Sequence, residues 1–306
     1  MNQIRLDQSS LRKGIGNTEG RAIMNILREN KFKLLIWSAL FCILLPVSAA
    51  HPKIGLALSG GGAKGAATIG ALKVIEESGI KIDYIAGTSI GAVIGGLYAA
   101  GLELDEIDRL VFTKDAIATL DIDFLSDELR KLLLRRDCEN LEDTLIPFRC
   151  VAVDADKMKE EVLSEGRLWK AIIASMSVPI VYPLVPWKNK PLCDGGLLNN
   201  LPVDVVKAMG ADIVIAIDLQ QNADDGLQIP SLGLGGMFDT LADWSVTRPD
   251  KKKYNINVKA ANIYIHPNLS GYNAASFGRA NCREMKKRGE NEARKHWDKL
   301  IRLKKS

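Results

Sequence analysis

Residues 82–91 read Ile82-Asp83-Tyr84-Ile85-Ala86-Gly87-Thr88-Ser89-Ile90-Gly91. Ile82 to Ala86 is a short apolar stretch with strand character. Ile90 to Ala100 is an apolar run of helical length, stopped by Gly101. Between them stands Gly-x-Ser-x-Gly, the pattern of a sharp strand-to-helix turn that lifts a serine above the end of a sheet. Gly87 and Gly91 suit such a turn because neighbouring backbones crowd it. Ser89 then projects near the positive end of the following helix, which makes it a candidate nucleophile.

The flanking sequence repeats the alternation. Lys53 to Ser59 reads as a buried strand, followed by Gly60-Gly61-Gly62 and a helix from Ala63 to Glu77 that Ser78-Gly79 closes. Leu104–Val111 and Phe124–Leu134 have the period of amphipathic helices. Cys150–Val153 and Glu161–Leu163 read as strands, Leu168–Ser175 as a helix ended by Val178-Pro179, and Val203–Met209 as a short helix. Ile213–Asp218 is an apolar strand and Ile263–Ile265 a last one. This order predicts an α/β fold, three layers deep, with a mainly parallel central sheet between helices. Ligands of such sheets sit at the carboxyl ends of the strands, where both glycine-rich turns fall. Asn222 to Lys253 is polar, glycine-rich and charged in turn, and is expected to form a loop or lid.

Gly60-Gly61-Gly62-Ala63-Lys64-Gly65 also fits Gly-x-Gly-x-x-Gly, so two readings compete. A dinucleotide site needs an acid at the end of the second strand, and Asp83 stands at that strand's start instead. The other reading is an oxyanion hole, in which backbone N–H groups at a helix N-terminus face developing negative charge. Gly60, Gly61 and Gly62 are its candidates, with the N–H of Ile90 as a further donor. Lys64 is either a support for that loop, an attraction for an anionic head group, or a solvated helix lysine.

A serine nucleophile needs a base. The chain has three histidines, His51, His266 and His296. Only His266 follows an expected strand, and it is the one triad candidate. The alternative is Asp194, which follows the strand-like Pro191-Leu192-Cys193 and precedes Gly195-Gly196. A free aspartate is a weak base, but burial raises its pKa. Asp194-Gly195-Gly196 also fits a plain turn.

The bulk composition is ordinary. A net charge of +4 with 25% charged residues excludes a dedicated nucleic-acid binder. Leu34 to Ala50 carries no charge, is preceded by Arg28, Lys31 and Lys33, and ends in small residues. That is the form of a secretory signal, with an uncleaved membrane anchor or a core helix as alternatives, and with Met24 as a second candidate start. Export to a periplasmic or extracellular space is therefore expected. The division is a polar region 1–33, the leader-like segment 34–50, a catalytic domain 51–275 and a basic C-terminal helix 276–306. Arg279 to Lys305 holds eleven Lys or Arg against four acids. Its apolar side either lies on an anionic membrane or packs on the domain. Cys138, Cys150, Cys193 and Cys282 match no zinc spacing and are expected as buried thiols, with disulfide pairing in an exported chain as the alternative. No calcium loop is present, and no metal or cofactor is called for.

Gly-Gly-Gly-x-x-Gly, Gly-Thr-Ser-x-Gly and Asp-Gly-Gly, in that order, resemble the patatin-like phospholipases, a family that includes plant patatin and the neuropathy target esterase domain. The resemblance runs from Lys53 to Asp218. It includes Gly166 to Ala171, Ala174-Ser175-Met176-Ser177-Val178-Pro179 and Leu197 to Val203. Asn268-Leu269-Ser270-Gly271-Tyr272 is similar to the end of bacterial members. It implies an α/β/α fold, a Ser–Asp dyad of Ser89 and Asp194, an oxyanion loop at Gly60 to Gly62, and Lys64, Gly65, Gly87, Gly91, Gly195 and Gly196 as its supports. Members commonly carry arginine where this chain has Lys64, which keeps the charge and loses the bidentate fork. The implied activity is hydrolysis of phospholipid or other acyl-lipid esters at a membrane surface. An acyltransferase using the same acyl-enzyme, or a non-catalytic membrane-binding protein, are the alternatives. Nothing in the sequence fixes an oligomeric state.

Overall fold

The computed structural model describes residues 51–113, 122–179, 181–221 and 251–305. The leader-like segment and residues 222–250 of the expected lid lie outside the described residues. Eight strands form one sheet: β1 (Ile54–Leu58), β2 (Tyr84–Thr88), β3 (Phe148–Asp154), β4 (Lys159–Leu163), β5 (Val185–Trp187), β6 (Lys190–Asp194), β7 (Ile213–Ile217) and β8 (Ile263–Ile265). They follow the order β5-β6-β3-β2-β1-β7-β8, with β4 also paired to β3. The five from β3 to β8 in that order are parallel. β4 and β6 run antiparallel to β3, and β5 antiparallel to β6.

The helices among the described residues are α1 (Gly65–Ser78), α2 (Ile90–Ala99), α3 (Leu104–Asp108, continued by a π turn to Thr113), α4 (Ile122–Leu134), α5 (Leu168–Met176), α6 (Val203–Ala208), α7 (Lys251–Ala260), α8 (Arg279–Arg294) and α9 (Trp297–Lys305). Strand alternation assigns them to two faces. Ile54, Leu56, Leu58, Ile85, Ile215 and Ile217 point into a large core with α1 to α5, α8 and α9. Ala57, Ala86, Val151, Val214 and Ala216 point the other way, under α6 and α7. That second face is built from small residues, so α6 lies close to the sheet: a Cβ on Gly55 would stand 2.0 Å from a Val206 methyl.

The basic C-terminal stretch forms two helices rather than one. Its apolar side is turned inward, with Cys282, Met285, Gly289, Ala293 and Leu300 buried. α8 presses on α1 at Gly70 and Gly289, where a Cβ would meet the carbonyl oxygens of Lys286 and Ala67 at 1.9 Å.

Some elements depart from the expectation, and β3 and β4 each begin two residues earlier, at Phe148 and Lys159. β2 begins two residues later than the apolar stretch, at Tyr84, and Asp83 before it is tied to β1, its N–H on the Ile54 carbonyl at 2.7 Å and its carboxylate accepting from the Ile54 N–H at 3.0 Å and from Lys53. The β5–β6 hairpin was not expected as such. α7 stands where the end of a charged loop was expected.

Candidate active site

The sheet itself brings two distant segments together. β4 occupies one edge of β3 along Cys150–Asp154. The opposite edge is shared: β2 pairs with its first half through Thr88↔Val151, and β6 with its second half through Asp194↔Ala152. Val151 and Ala152 are neighbours, so the carboxyl ends of β2 and β6 meet head to head. Ser89 follows one end and Asp194 is the other.

The meeting of these two strand ends sets the Ser89 side chain next to the Asp194 carboxylate, whose pKa it helps to lower. Asp194 is 5% exposed. Burial pushes its carboxyl up from 3.8 to about 6, while hydrogen bonds from the Gly196 N–H and Ser89 pull it back down. The Gly196 N–H lies 2.7 Å from Oδ1, and Asp194's own N–H donates to the Ser177 carbonyl at 2.9 Å. Tyr182 is buried beside this carboxylate. Its phenol is raised to about 12, by burial first and by the charge of Asp194 second.

Ser89 has φ 54° and ψ −124°, an uncommon conformation for a residue with a side chain. Such strain costs about 1–3 kcal/mol and persists only where the surroundings hold it. Here the Ser89 carbonyl accepts from Ala92 and Val93, and its N–H donates to the Ser175 hydroxyl at 3.0 Å. Both flanking glycines are required. A Cβ on Gly87 would lie 2.3 Å from the Gly91 oxygen, and one on Gly91 would lie 2.4 Å from the Leu58 oxygen. Gly195 is equally constrained, since its Cβ would stand 2.2 Å from the Val151 oxygen.

The glycine loop divides into two parts. Gly60 was expected among the oxyanion donors, but its N–H is engaged by Asn200, with the backbone oxygen at 3.3 Å and Oδ1 at 3.2 Å. Its contribution is room: a Cβ there would lie 2.9 Å from the Ser89 Cβ. Gly61 and Gly62 both take positive φ, 155° and 57°. Among the described residues, no protein acceptor meets the N–H groups of Gly61, Gly62 or Ile90. The loop is anchored beyond them by the Ala63 N–H on the Ala274 carbonyl at 2.8 Å. Gly65 lets the start of α1 rest on the start of α2, since its Cβ would fall 2.5 Å from Ile90 Cγ1. Gly196 lies 3.0 Å, measured from its would-be Cβ, from both Asp194 Oδ1 and Asn200 Oδ1. Lys64 is half-buried, and among the described residues no carboxylate pairs with it.

The competing candidates are elsewhere. His266 follows β8, three strand spacings or about 14 Å from β2. Its Nδ1 lies 3.2 Å from the Asp218 carbonyl, and its ring stacks on Tyr264. His296 sits between α8 and α9, and His51 is exposed. Asp83 is at the opposite end of β2 from the glycine loop, which removes the dinucleotide reading. A cavity of about 340 Å³ lined by Tyr84, Leu141, Phe148 and Arg149 also lies at that opposite end. The four described cysteines are buried thiols. Sequence reasoning assigned no role to Asn200, Ser175 or Tyr182. The signal for Asn200 was a polar Asn199-Asn200 pair in an otherwise apolar stretch.

A family model described as patatin-like phospholipase matches residues 56–207. Lysophospholipase nte1 of Aspergillus fumigatus is 28% identical over 261 residues, covering 74% of this chain and 17% of that protein. Lysophospholipase NTE1 of Pyricularia oryzae is 30% identical over 258 residues, again 74% and 17%. The chain thus spans about a sixth of the length of these curated relatives. The crystal structure of VipD from Legionella pneumophila has the same fold, with a TM-score of 0.54 over 82% of this chain and 68% of that one at 16% identity.

Proposed function

The chain belongs to the patatin-like phospholipase family, and we propose that it hydrolyses acyl-lipid esters with Ser89 as nucleophile and Asp194 as base. The observation that carries this reading is the meeting of the β2 and β6 ends on one edge of β3, which sets Ser89 beside the buried Asp194 carboxylate, whose basicity burial raises. A carboxylate poised near pH 6 is a far better proton acceptor at neutral pH than one at 3.8.

Asp194 takes the proton of Ser89 as Oγ attacks the ester carbonyl carbon. The carbonyl oxygen becomes an oxyanion held by the free N–H groups of Gly61, Gly62 and Ile90. The tetrahedral intermediate collapses, the bond to the alcohol oxygen breaks, and Asp194 returns the proton to that alcohol. The fatty-acyl group is then an ester of Ser89. Water gives a proton to Asp194 and attacks the acyl carbon. Ser89 leaves with that proton, and the fatty acid is released. The N-terminus of α2 adds its positive end to the oxyanion donors.

The test is product analysis by mass spectrometry on phospholipids, lysophospholipids and neutral glycerides, with Ser89→Ala as control. Fatty acid released from at least one class by the parent chain and not by Ser89→Ala is expected. Equal release by both proteins would remove Ser89 from the chemistry.

A further inference from the structure

β2 and β6 carry the two members of the dyad, yet they pair with β3 and not with each other. What ties them is the end of α5. Ser175 lies in its last turn and is fully buried. Its Oγ donates to the Val151 carbonyl at 2.6 Å. A hydroxyl has one proton, so the oxygen's remaining capacity is as an acceptor, and it takes the Ser89 N–H at 3.0 Å. Two residues on, the Ser177 carbonyl accepts the Asp194 N–H at 2.9 Å, and the Ser177 hydroxyl closes the helix end on the Ile173 carbonyl at 2.7 Å. The tripeptide Ser175-Met176-Ser177 therefore holds Ser89 through a side chain and Asp194 through the backbone.

We propose that Ser175 is a positioning residue, whose hydroxyl fixes the backbone of Ser89 so that the nucleophile's Oγ faces Asp194. This rests on the reading of Ser89 and Asp194 as the dyad. Ser175 has no exposed surface to offer a substrate. It acts on the positive-φ turn, where the Ser89 N–H is spent inward on Ser175 and the oxyanion falls to other donors. Without that acceptor the turn is free to rotate. A displacement of the reacting atom by 1 Å costs about 10²-fold in rate.

The experiment compares Ser175→Ala, Ser175→Cys and Ser175→Thr on a soluble short-chain ester, with turnover expressed per folded chain, the folded fraction taken from circular dichroism. Counting folded chains keeps the ratio meaningful for a variant that folds only in part. Cysteine fills the volume but is a poor acceptor, and threonine keeps the Oγ. Expected for Ala and Cys is a fall in kcat per folded chain of about 10- to 100-fold with KM within about twofold, and for Thr a recovery of most of the rate. The acid limb of the pH profile keeps its midpoint in all three, since Asp194 is untouched. Parent-like kcat per folded chain in Ala or Cys, or a loss in Thr as large as in Ala, would overturn the inference. Ser89→Ala run beside them separates the two levels. If it still turns over, the dyad reading fails; if it is inactive while Ser175→Ala is unimpaired, only the role of Ser175 fails.

Discussion

Replacing Asp194 with asparagine exposes two consequences of one burial. The carboxyl rises from 3.8 to about 6 on folding. Below pH 3.8 the group is protonated in both folded and unfolded chains, and folding carries no penalty from it. Between 3.8 and 6 the unfolded chain releases the proton while the folded chain keeps it, so stability falls as pH rises. Above 6 both are ionised and the penalty is constant. At 1.36 kcal/mol per pH unit that penalty is about 3 kcal/mol. Asparagine stays neutral and still accepts from the Gly196 N–H, although less strongly than a carboxylate. Asp194→Asn is therefore expected to be about 1–3 kcal/mol more stable than the parent at pH 8 and equal to it near pH 4. Ester hydrolysis should fall at least about 10³-fold, and kcat/KM of the parent should have an acid limb with its midpoint near 6. Urea unfolding at pH 4, 6 and 8, followed by ellipticity, measures the first. Other titrating groups cancel in the comparison. A stability difference that does not change with pH, or an acid limb centred near 4, would refute the reasoning.

Three further outcomes are expected. Gly91→Ala places a Cβ 2.4 Å and 2.6 Å from the Leu58 and Ser59 carbonyl oxygens, both backbone; thermal unfolding should show a loss of at least about 1–3 kcal/mol. Gly60→Ala pushes on Asn200 Oδ1 and the Ser89 Cβ; its kcat should drop by about 10²-fold while the chain stays folded by circular dichroism. His266→Ala should keep kcat/KM within about threefold, since loss of a true triad histidine costs about 10³-fold or more; a larger loss would return His266 to the mechanism.

The parallel strands were legible because β-branched and apolar residues dominate them, without interruption in Ile213–Ile217. The turn glycines were legible from their spacing, and the backbone oxygens within 2.4 Å of would-be Cβ atoms at Gly87, Gly91 and Gly195 supply the reason. Only the end of β6 was legible, in Pro191-Leu192-Cys193; β5 was hidden because it is three residues long with Pro186 at its centre, and the hairpin's pairing on β3 comes from tertiary context. α7 was hidden for a different reason. Its fully buried residue is polar: Asn257 donates to Asn199 Oδ1, the Leu201 carbonyl and Asp204. Beside that amide only the partly buried Tyr254 and Val258 pack on the sheet, among lysines and asparagines, so the apolar period is weak. Asp194 was visible as a residue, but its meeting with Ser89 depends on two strands sharing one edge of β3, which no local pattern encodes. Asn200 and Ser175 act across chain separations of 140 and 86 residues through hydrogen bonds to backbone N–H groups. Such contacts leave no trace in spacing.

The dyad is tested most directly by finding where the acyl group goes. After brief reaction of the full chain with an activated fatty-acyl ester, acid quenching and peptide mass spectrometry would locate the adduct. One acyl group per chain is expected, on the peptide that contains Ser89, absent in Ser89→Ala and formed far more slowly in Asp194→Asn. Acylation of another residue, or an undiminished adduct in Ser89→Ala, would contradict Ser89 as the nucleophile and Asp194 as its base.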